Sequence, residues 1–432
     1  LSLNAGSGAA IARPTFSRDF AGERTLNNGT GPAITFTRAS NATYFDASGV
    51  LQTASNDTPR FDHDPATGAS RGLLIEEART NSIRNSQAGG ATVGVIGSGG
   101  VMPTHWFVGT ASGITREVIG TGTANGFAYV DVKLSGTNSS GSAVGFNIGY
   151  DGTTQVNAAA AQTWTSSVYV ALTAGDLTGI STIRLSTIEY KADGTFLVSG
   201  NGSALSIAAS MSRFAHTRTL TDALTERVWT GILVTVAGSA TIDLTLRIAA
   251  PQLEQGAFAT SYIPTTSAAA TRAADFARVT PISSFYNQGE GTLFGEFSKF
   301  QMTANSKVAM FFDPINTARY GGLENDGGTP TTNRFIYQNN AGSTVASISF
   351  ASAAANTVYR NCGGYASDNF QAAQNGTLGT ADTSGTPADT LSHFGVGCLA
   401  STNGQFFLNG HIRKLAYWPR RLSNTLLQQL TT

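Results

Sequence analysis

Period-two alternation of apolar and polar residues dominates the chain, and helical periodicity is almost absent. Trp164, Ser166, Val168, Val170 and Leu172 share one face of one stretch; Ile242, Leu244, Leu246 and Ile248 share a face of another, opposite Thr241, Asp243, Thr245 and Arg247. Successive strand residues point to opposite faces, so both stretches predict half-buried antiparallel strands. Dipeptides that accept positive φ punctuate the pattern at Asn125-Gly126, Asp151-Gly152, Asp193-Gly194, Asn201-Gly202, Asp326-Gly327, Asn375-Gly376, Asn403-Gly404 and Asn409-Gly410, where tight turns are expected. The predicted class is all-β, with two antiparallel β-sandwich (jelly-roll) domains. The one helix expected is at the end, where Ser423 caps a turn carrying Leu426, Leu427 and Leu430 on one side.

Texture divides the chain into 1–80, 81–265 and 266–432. The first segment holds a hairpin, Ala42-Thr43-Tyr44-Phe45 to Val50-Leu51 around a turn at Asp46-Ala47-Ser48-Gly49, then runs extended through Pro59 and Pro65. It has too few apolar residues for a large core, so it is expected to pack on a neighbouring domain or subunit. The second is expected to be one jelly roll whose last strand, Ala249-Ala250-Pro251-Gln252-Leu253-Glu254, leads through Tyr262 to Ile263-Pro264. Thr265-Thr266-Ser267-Ala268-Ala269-Ala270-Thr271 is small and polar, as linkers are. Beyond it, Gly291-Thr292-Leu293-Phe294-Gly295-Glu296-Phe297 opens a second sandwich that continues through Val308-Ala309-Met310-Phe311-Phe312 and Phe394-Gly395-Val396-Gly397-Cys398.

Charge narrows the function. Only 12% of residues are charged, and 27 Lys+Arg balance 27 Asp+Glu, so there is no basic field to hold nucleic acid or an anionic bilayer. No apolar run approaches the ~20 residues of a membrane helix, and Leu1-Ser2-Leu3-Asn4-Ala5-Gly6 lacks the flank and core of a signal peptide. Two cysteines are too few for a disulfide scaffold; His63, His105, His216, His393 and His411 never reach metal-ligand spacing, which argues against zinc or haem.

Three sets of residues carry a family resemblance. The first is Ile34-Thr35-Phe36-Thr37-Arg38-Ala39-Ser40 to Tyr44-Phe45-Asp46, with Pro59-Arg60-Phe61-Asp62, Arg71-Gly72-Leu73-Leu74-Ile75-Glu76 and Ala78-Arg79-Thr80-Asn81. The second is Pro251-Gln252-Leu253-Glu254 with Ala259-Thr260-Ser261-Tyr262-Ile263-Pro264-Thr265. The third is Leu408-Asn409-Gly410-His411-Ile412-Arg413-Lys414-Leu415-Ala416-Tyr417-Trp418-Pro419-Arg420-Arg421-Leu422-Ser423. Together they resemble modular bacteriophage and gene-transfer-agent fibre or head-spike adhesins. The resemblance implies an N-terminal attachment segment, a carbohydrate-binding-module-like jelly roll and a C-terminal concanavalin A-like (laminin-G-type) lectin sandwich. It further implies a place on the virion surface after assembly in the bacterial cytoplasm, other spike, fibre or capsid proteins as partners, and a homo-oligomer, most often a trimer. The motifs identify architecture and no ligand residue, so function is carried by fold-level analogy.

Sugar recognition sets aromatic faces against ring C–H surfaces and amides or carboxylates against hydroxyls. The span 320–340 interleaves such residues with turn glycines, which nominates Tyr320, Asn325, Asp326, Asn333, Tyr337, Asn339 and Asn340 as carbohydrate-binding. Trp106, Trp164, Trp229 and Trp418 are the other stacking candidates, although Trp164, in phase with Val168, and Trp229, opening an apolar strand, are expected inside. A glycosidase would need paired acids on one strand face. The nearest string, Glu324-Asn325-Asp326-Gly327-Gly328-Thr329, lacks a third carboxylate and turns at Asp326-Gly327-Gly328. Glu76-Glu77 and Asp62/Asp64 are expected to order backbone. Asp62-His63-Asp64-Pro65-Ala66-Thr67-Gly68 holds a fragment of an oxygen-rich calcium loop, leaving room for a structural calcium with no other cofactor expected. Cys362, in phase with Val358, and Cys398, in phase with Phe394 and Val396, point inward. A bridge would need neighbouring strands, and the reducing cytoplasm that the resemblance implies favours free thiols.

The expected function is therefore a non-enzymatic adhesin that binds bacterial capsular polysaccharide for host attachment. A structural decoration protein and a polysaccharide depolymerase are the rivals.

Overall fold

In a computed structural model, residues 13–152, 156–316, 318–401 and 404–432 are described; Leu1-Ser2-Leu3-Asn4-Ala5-Gly6 and Asn403 lie outside them. Among the described residues the chain is all-β, with one helix, Asn424–Thr431, as its last element. Two compact units form: residues 1–78 with 273–432, and residues 79–272.

The first unit is a sandwich of two antiparallel sheets. One runs Thr377–Leu378, Gln371–Gln374, Tyr359–Ala366, Glu290–Lys299, Gly410–Trp418, Ser70–Ile75, Arg60–His63, with Phe16–Asp19 also paired to Gly410–Trp418. The other runs Thr35–Thr37, Phe276–Val279, His393–Val396, Lys307–Phe312, Tyr320–Asn325, Thr332–Gln338, Thr344–Ser352. Their inner faces share one core, in which Leu293, Phe297 and Leu415 meet Phe311, Leu323, Phe335 and Phe394.

The three-segment division expected from texture is corrected here. Residues 1–78 supply strands to both sheets, and Phe16, Phe20, Leu73 and Ile75 are buried in the core of 273–432. Short strands with few apolar residues complete a core they cannot build alone, and alternation along one segment does not reveal which distant strand it will pair with. The hairpin is present, as Ala42–Phe45 with Leu51–Ala54.

The second unit packs a seven-stranded sheet (Ser212–Thr219, Thr163–Gly175, Thr241–Gln255, Phe127–Thr137, Ile114–Ala124, Gly94–Ile96, Gly99–Gly100) on a sheet ordered Trp106–Val108, Val144–Tyr150, Arg227–Val236, Ile180–Tyr190, Phe196–Ala204. Val168, Val170, Ile242, Leu244, Leu246 and Ile248 are buried, as their alternation requires. The unit begins and ends with paired strands, Arg79–Asn81 and Ala270–Arg272. The expected linker is thereby shortened from both sides: Thr265 is buried, its hydroxyl donating to the Ile83 carbonyl (2.5 Å) and accepting from the Ser86 N–H (2.8 Å). Asn201-Gly202 also departs from expectation. It lies inside the strand Phe196–Ala204, where Gly202 has no side chain to obstruct the His216 ring packed over it.

Ser423 caps the helix by accepting from the Leu426 N–H, and Leu427 and Leu430 are buried with Cys362, Trp418 and Leu422. Cys398 sits in the separate sandwich core, and both thiols are free and buried. Val358, expected in phase with Cys362, is exposed and precedes the strand Tyr359–Ala366. Burial pushes both thiols up from their ordinary range, so neither offers a thiolate near neutral pH. Thiol labelling is expected to leave the native protein unmodified and to add two labels in denaturant; rapid native labelling would contradict this packing.

Candidate functional site

The seven residues nominated from the span 320–340 are scattered by the alternation of their strands. Tyr337 is in the core, stacked on Tyr365 with ring centroids 4.4 Å apart and bonded through its hydroxyl to Tyr286. Asn325 and Asn333 are buried opposite one another; Lys299, from the facing sheet, donates to both amide oxygens, at 3.0 Å for Asn333. Their amide nitrogens donate to the Pro330 carbonyl and to Gln374, both at 2.9 Å. Burial holds the Lys299 amine well below its ordinary pKa, and all three side chains are closed to a ligand. Asn339 orders a turn by accepting from the Ala341 and Ser343 N–H groups, both at 3.0 Å. Asn340 pairs with Asp389.

Tyr320 and Asp326 lie along a charged lane instead. The Lys307 amine sits 4.6 Å from the Tyr320 ring centroid and pairs with buried Glu324. Arg334 pairs with both Glu324 (2.8 Å) and Asp326 (3.2 Å). One guanidinium thus holds both carboxylates of this string. The other acidic candidates are equally committed. Glu76 pairs with Arg60 (2.8 Å), Glu77 with Asn409 (3.1 Å), Asp62 with His411 (2.8 Å) and Asp64 with Arg71 (2.8 Å). Asp64 also accepts from the Ala66 and Thr67 N–H groups, which shapes Asp64-Pro65-Ala66-Thr67-Gly68 into a turn. All four tryptophans are buried and offer no stacking platform.

An open groove of about 300 Å³ lies on the outer face of the second sheet of this unit. Four neighbouring strands build it. In Phe276–Val279 the outward positions are Phe276 and Arg278, with Ala277 and Val279 buried between and after them. Thr37 is the register partner of Phe276, Gly395 of Arg278, and His393 of Phe312. The groove is lined by these six residues with Pro314 and Cys398. Gly395 lets the Cys398 carbonyl pack directly on its backbone, where a Cβ would collide. Phe312 and His393 face each other with centroids 5.4 Å apart, and Phe276 packs edge-on to Phe407 at 5.3 Å. Burial, then the nearby Arg278 charge, lowers the His393 pKa, so its ring is neutral near pH 7 and Arg278 is the cation of the groove.

None of these residues was nominated from sequence. They come from four strands spread along the chain between Thr35 and Val396, and their one local signal is the run Val308-Ala309-Met310-Phe311-Phe312, too continuously apolar for a strand with one wet face. Met310 and Phe312 point away from the core and are buried with Leu399, from the strand Cys398–Ser401.

No protein-family model matches the chain, and no curated protein matches it. Among solved structures it is similar to the tripod (BppUct-A-L) of the bacteriophage Tuc2009 baseplate, at 12% identity over 76% of this chain and 100% of that one, with a TM-score of 0.28. Trypanosoma rangeli sialidase bound to the inhibitor DANA matches at 8% identity over 74% and 68%, with a TM-score of 0.28. The CBM22-1-CBM22-2 tandem of Paenibacillus barcinonensis Xyn10C matches at 8% over 80% and 99%, with a TM-score of 0.24. At such identities and scores the function is argued from the groove and from the sequence motifs. Among the described residues no helix is long and apolar enough to cross a membrane.

Proposed function

We propose that this chain is a non-catalytic, particle-borne adhesin whose groove at Phe276, Arg278, Phe312 and His393 holds a sugar unit of a bacterial surface polysaccharide. The groove carries this reading. Phe276 supplies an apolar face, neutral His393 and Thr37 supply hydrogen bonds, and Arg278 supplies one charge, which together suit a pyranose bearing an acidic substituent. No carboxylate lines it, and the pair at Glu324 and Asp326 is held by Arg334, which supports binding over glycan cleavage. The virion location, the particle-protein partners and the trimeric assembly follow from the motif resemblance. Several copies on one particle compensate for weak single sites.

The test is retention of the purified protein on an array of acidic and neutral bacterial polysaccharides. Binding to acidic polymers is expected, with Arg278→Ala lowering affinity about tenfold or more through loss of a charge-assisted hydrogen bond. Thr37→Trp, an exposed position that fills the groove, is expected to abolish binding. Retention unchanged in both variants, or no retention on any polymer, overturns the proposal.

A further inference from the structure

The second unit contains a separate cleft that the groove above does not involve. It has a volume of about 280 Å³ and lies between the strands Phe196–Ala204 and Ser212–Thr219, which belong to different sheets of that sandwich. Leu185, Leu205 and Phe214 give it an apolar side; Ser203 and His216 give it polar groups, while the Thr217 hydroxyl is engaged by Thr165 and the Ala257 carbonyl. Its shape follows from composition. Gly200 and Gly202 carry no side chains, so Arg218 and His216 from the opposite strand reach over them, and the small residues Ser203, Ala204 and Ala215 leave the mouth open.

His216 is the unusual member. Its Nε2 is buried and has no hydrogen-bond partner within the protein. The Gly200 carbonyl is its polar backbone neighbour. Burial first, and the charge of Arg218 second, lower its pKa and keep the ring neutral. Arg218 is itself held by Glu189, at 2.9 and 2.5 Å, and is not free to meet an anion. A buried ring nitrogen without a partner is costly unless something supplies one.

We propose that this cleft is a second binding site, for a neutral hydroxylated ring: a hydroxyl pairs with His216 Nε2, a further hydroxyl meets Ser203, and the C–H face lies on Phe214 and Leu205. A pyranose has this chemistry, since each hydroxyl both donates and accepts, whereas inorganic phosphate has no C–H face to lay on Phe214 and Leu205. The inference stands apart from the Arg278 groove, because the two sites belong to different units and differ in charge. One chain would then engage a glycan at two points.

The experiment uses the full chain carrying ¹³C-labelled histidine, titrated with methyl α-glucopyranoside, methyl β-galactopyranoside, N-acetylglucosamine and inorganic phosphate. A saturable shift of the His216 ring signal with at least one sugar and none with phosphate is expected, unchanged in Arg278→Ala. His216→Phe and Ser203→Phe, the latter at an exposed position, are expected to weaken sugar binding at least tenfold with the fold retained. A His216 signal indifferent to all three sugars, a response to phosphate, or sugar binding that survives both substitutions overturns the proposal. Loss of polysaccharide retention in Arg278→Ala with His216 still responsive would separate the two sites.

Discussion

Replacing Asp275 by alanine is expected to destabilise the 1–78/273–432 unit by about 3–5 kcal/mol, the range for removing one partner from a fully buried ion pair. Asp275 is inaccessible to solvent and accepts from Arg38 (3.0 Å), Arg60 (2.6 Å) and the Glu76 N–H (2.9 Å). Arg60 also pairs with Glu76 at 2.8 Å, and all four side chains are buried. Without Asp275, the Arg38 and Arg60 guanidinium groups lose the carboxylate they share. In a unit of this size that loss corresponds to a fall in Tm of roughly 10 °C. Urea or thermal unfolding followed by near-UV circular dichroism measures it, with the 79–272 unit as an internal reference. A loss below about 1 kcal/mol would refute the network's role, since surface pairs already reach that value.

The counterpart in the other unit is Glu189→Ala, for which a loss of about 3 kcal/mol is expected. Glu189 is buried and accepts from Arg218, from the Thr221 and Asp222 N–H groups (both 3.1 Å) and from the Thr225 hydroxyl (2.6 Å). Truncation leaves these donors facing an apolar gap. Burial pushes this carboxyl upward, but the bonds from Thr225, Arg218, Asp222 and Thr221 outweigh it and hold its pKa below the ordinary value. The folded state therefore binds the proton less readily than the unfolded chain. Its contribution is fully present above the unfolded carboxylate pKa and is lost as pH falls through the depressed folded one. The wild-type unit should lose stability in that acid window and the variant should lose less. Parallel pH profiles of the two proteins would rule out this linkage.

These two carboxylates show what could be read in the sequence and what could not. Alternation and turn dipeptides suffice for the all-β class, for the buried faces of Thr163–Gly175 and Thr241–Gln255 and for the capped final helix, because each depends on residues a few positions apart. The motifs behind the family resemblance have a structural explanation: Arg38, Arg60, Glu76 and Asp62 lie in the first of them, and His411, which bonds Asp62, lies in the last. Gln252 and Glu254 of the middle motif, with Thr260 and Ile263, form a buried set of their own. They are recognisable because buried polar networks tolerate few substitutions, and for the same reason they say little about a ligand. The site was illegible for the opposite reason. Thr37, Arg278, Phe312 and His393 meet only after four distant strands pair, whereas the conspicuous cluster at 320–340 is divided between the two faces of its strands. Asn325 and Asn333 resemble ligand residues in sequence and serve Lys299 in the fold.

Arg79 stands opposite Arg272, and Thr80 opposite Thr271, so the chain leaves the first sandwich after Ala78 and returns at Ala273 through adjacent crossings. Everything between is a cassette on a two-strand stem. An exchange of this middle segment that keeps the pairing of the stem leaves the strand order of the receiving sandwich as it is.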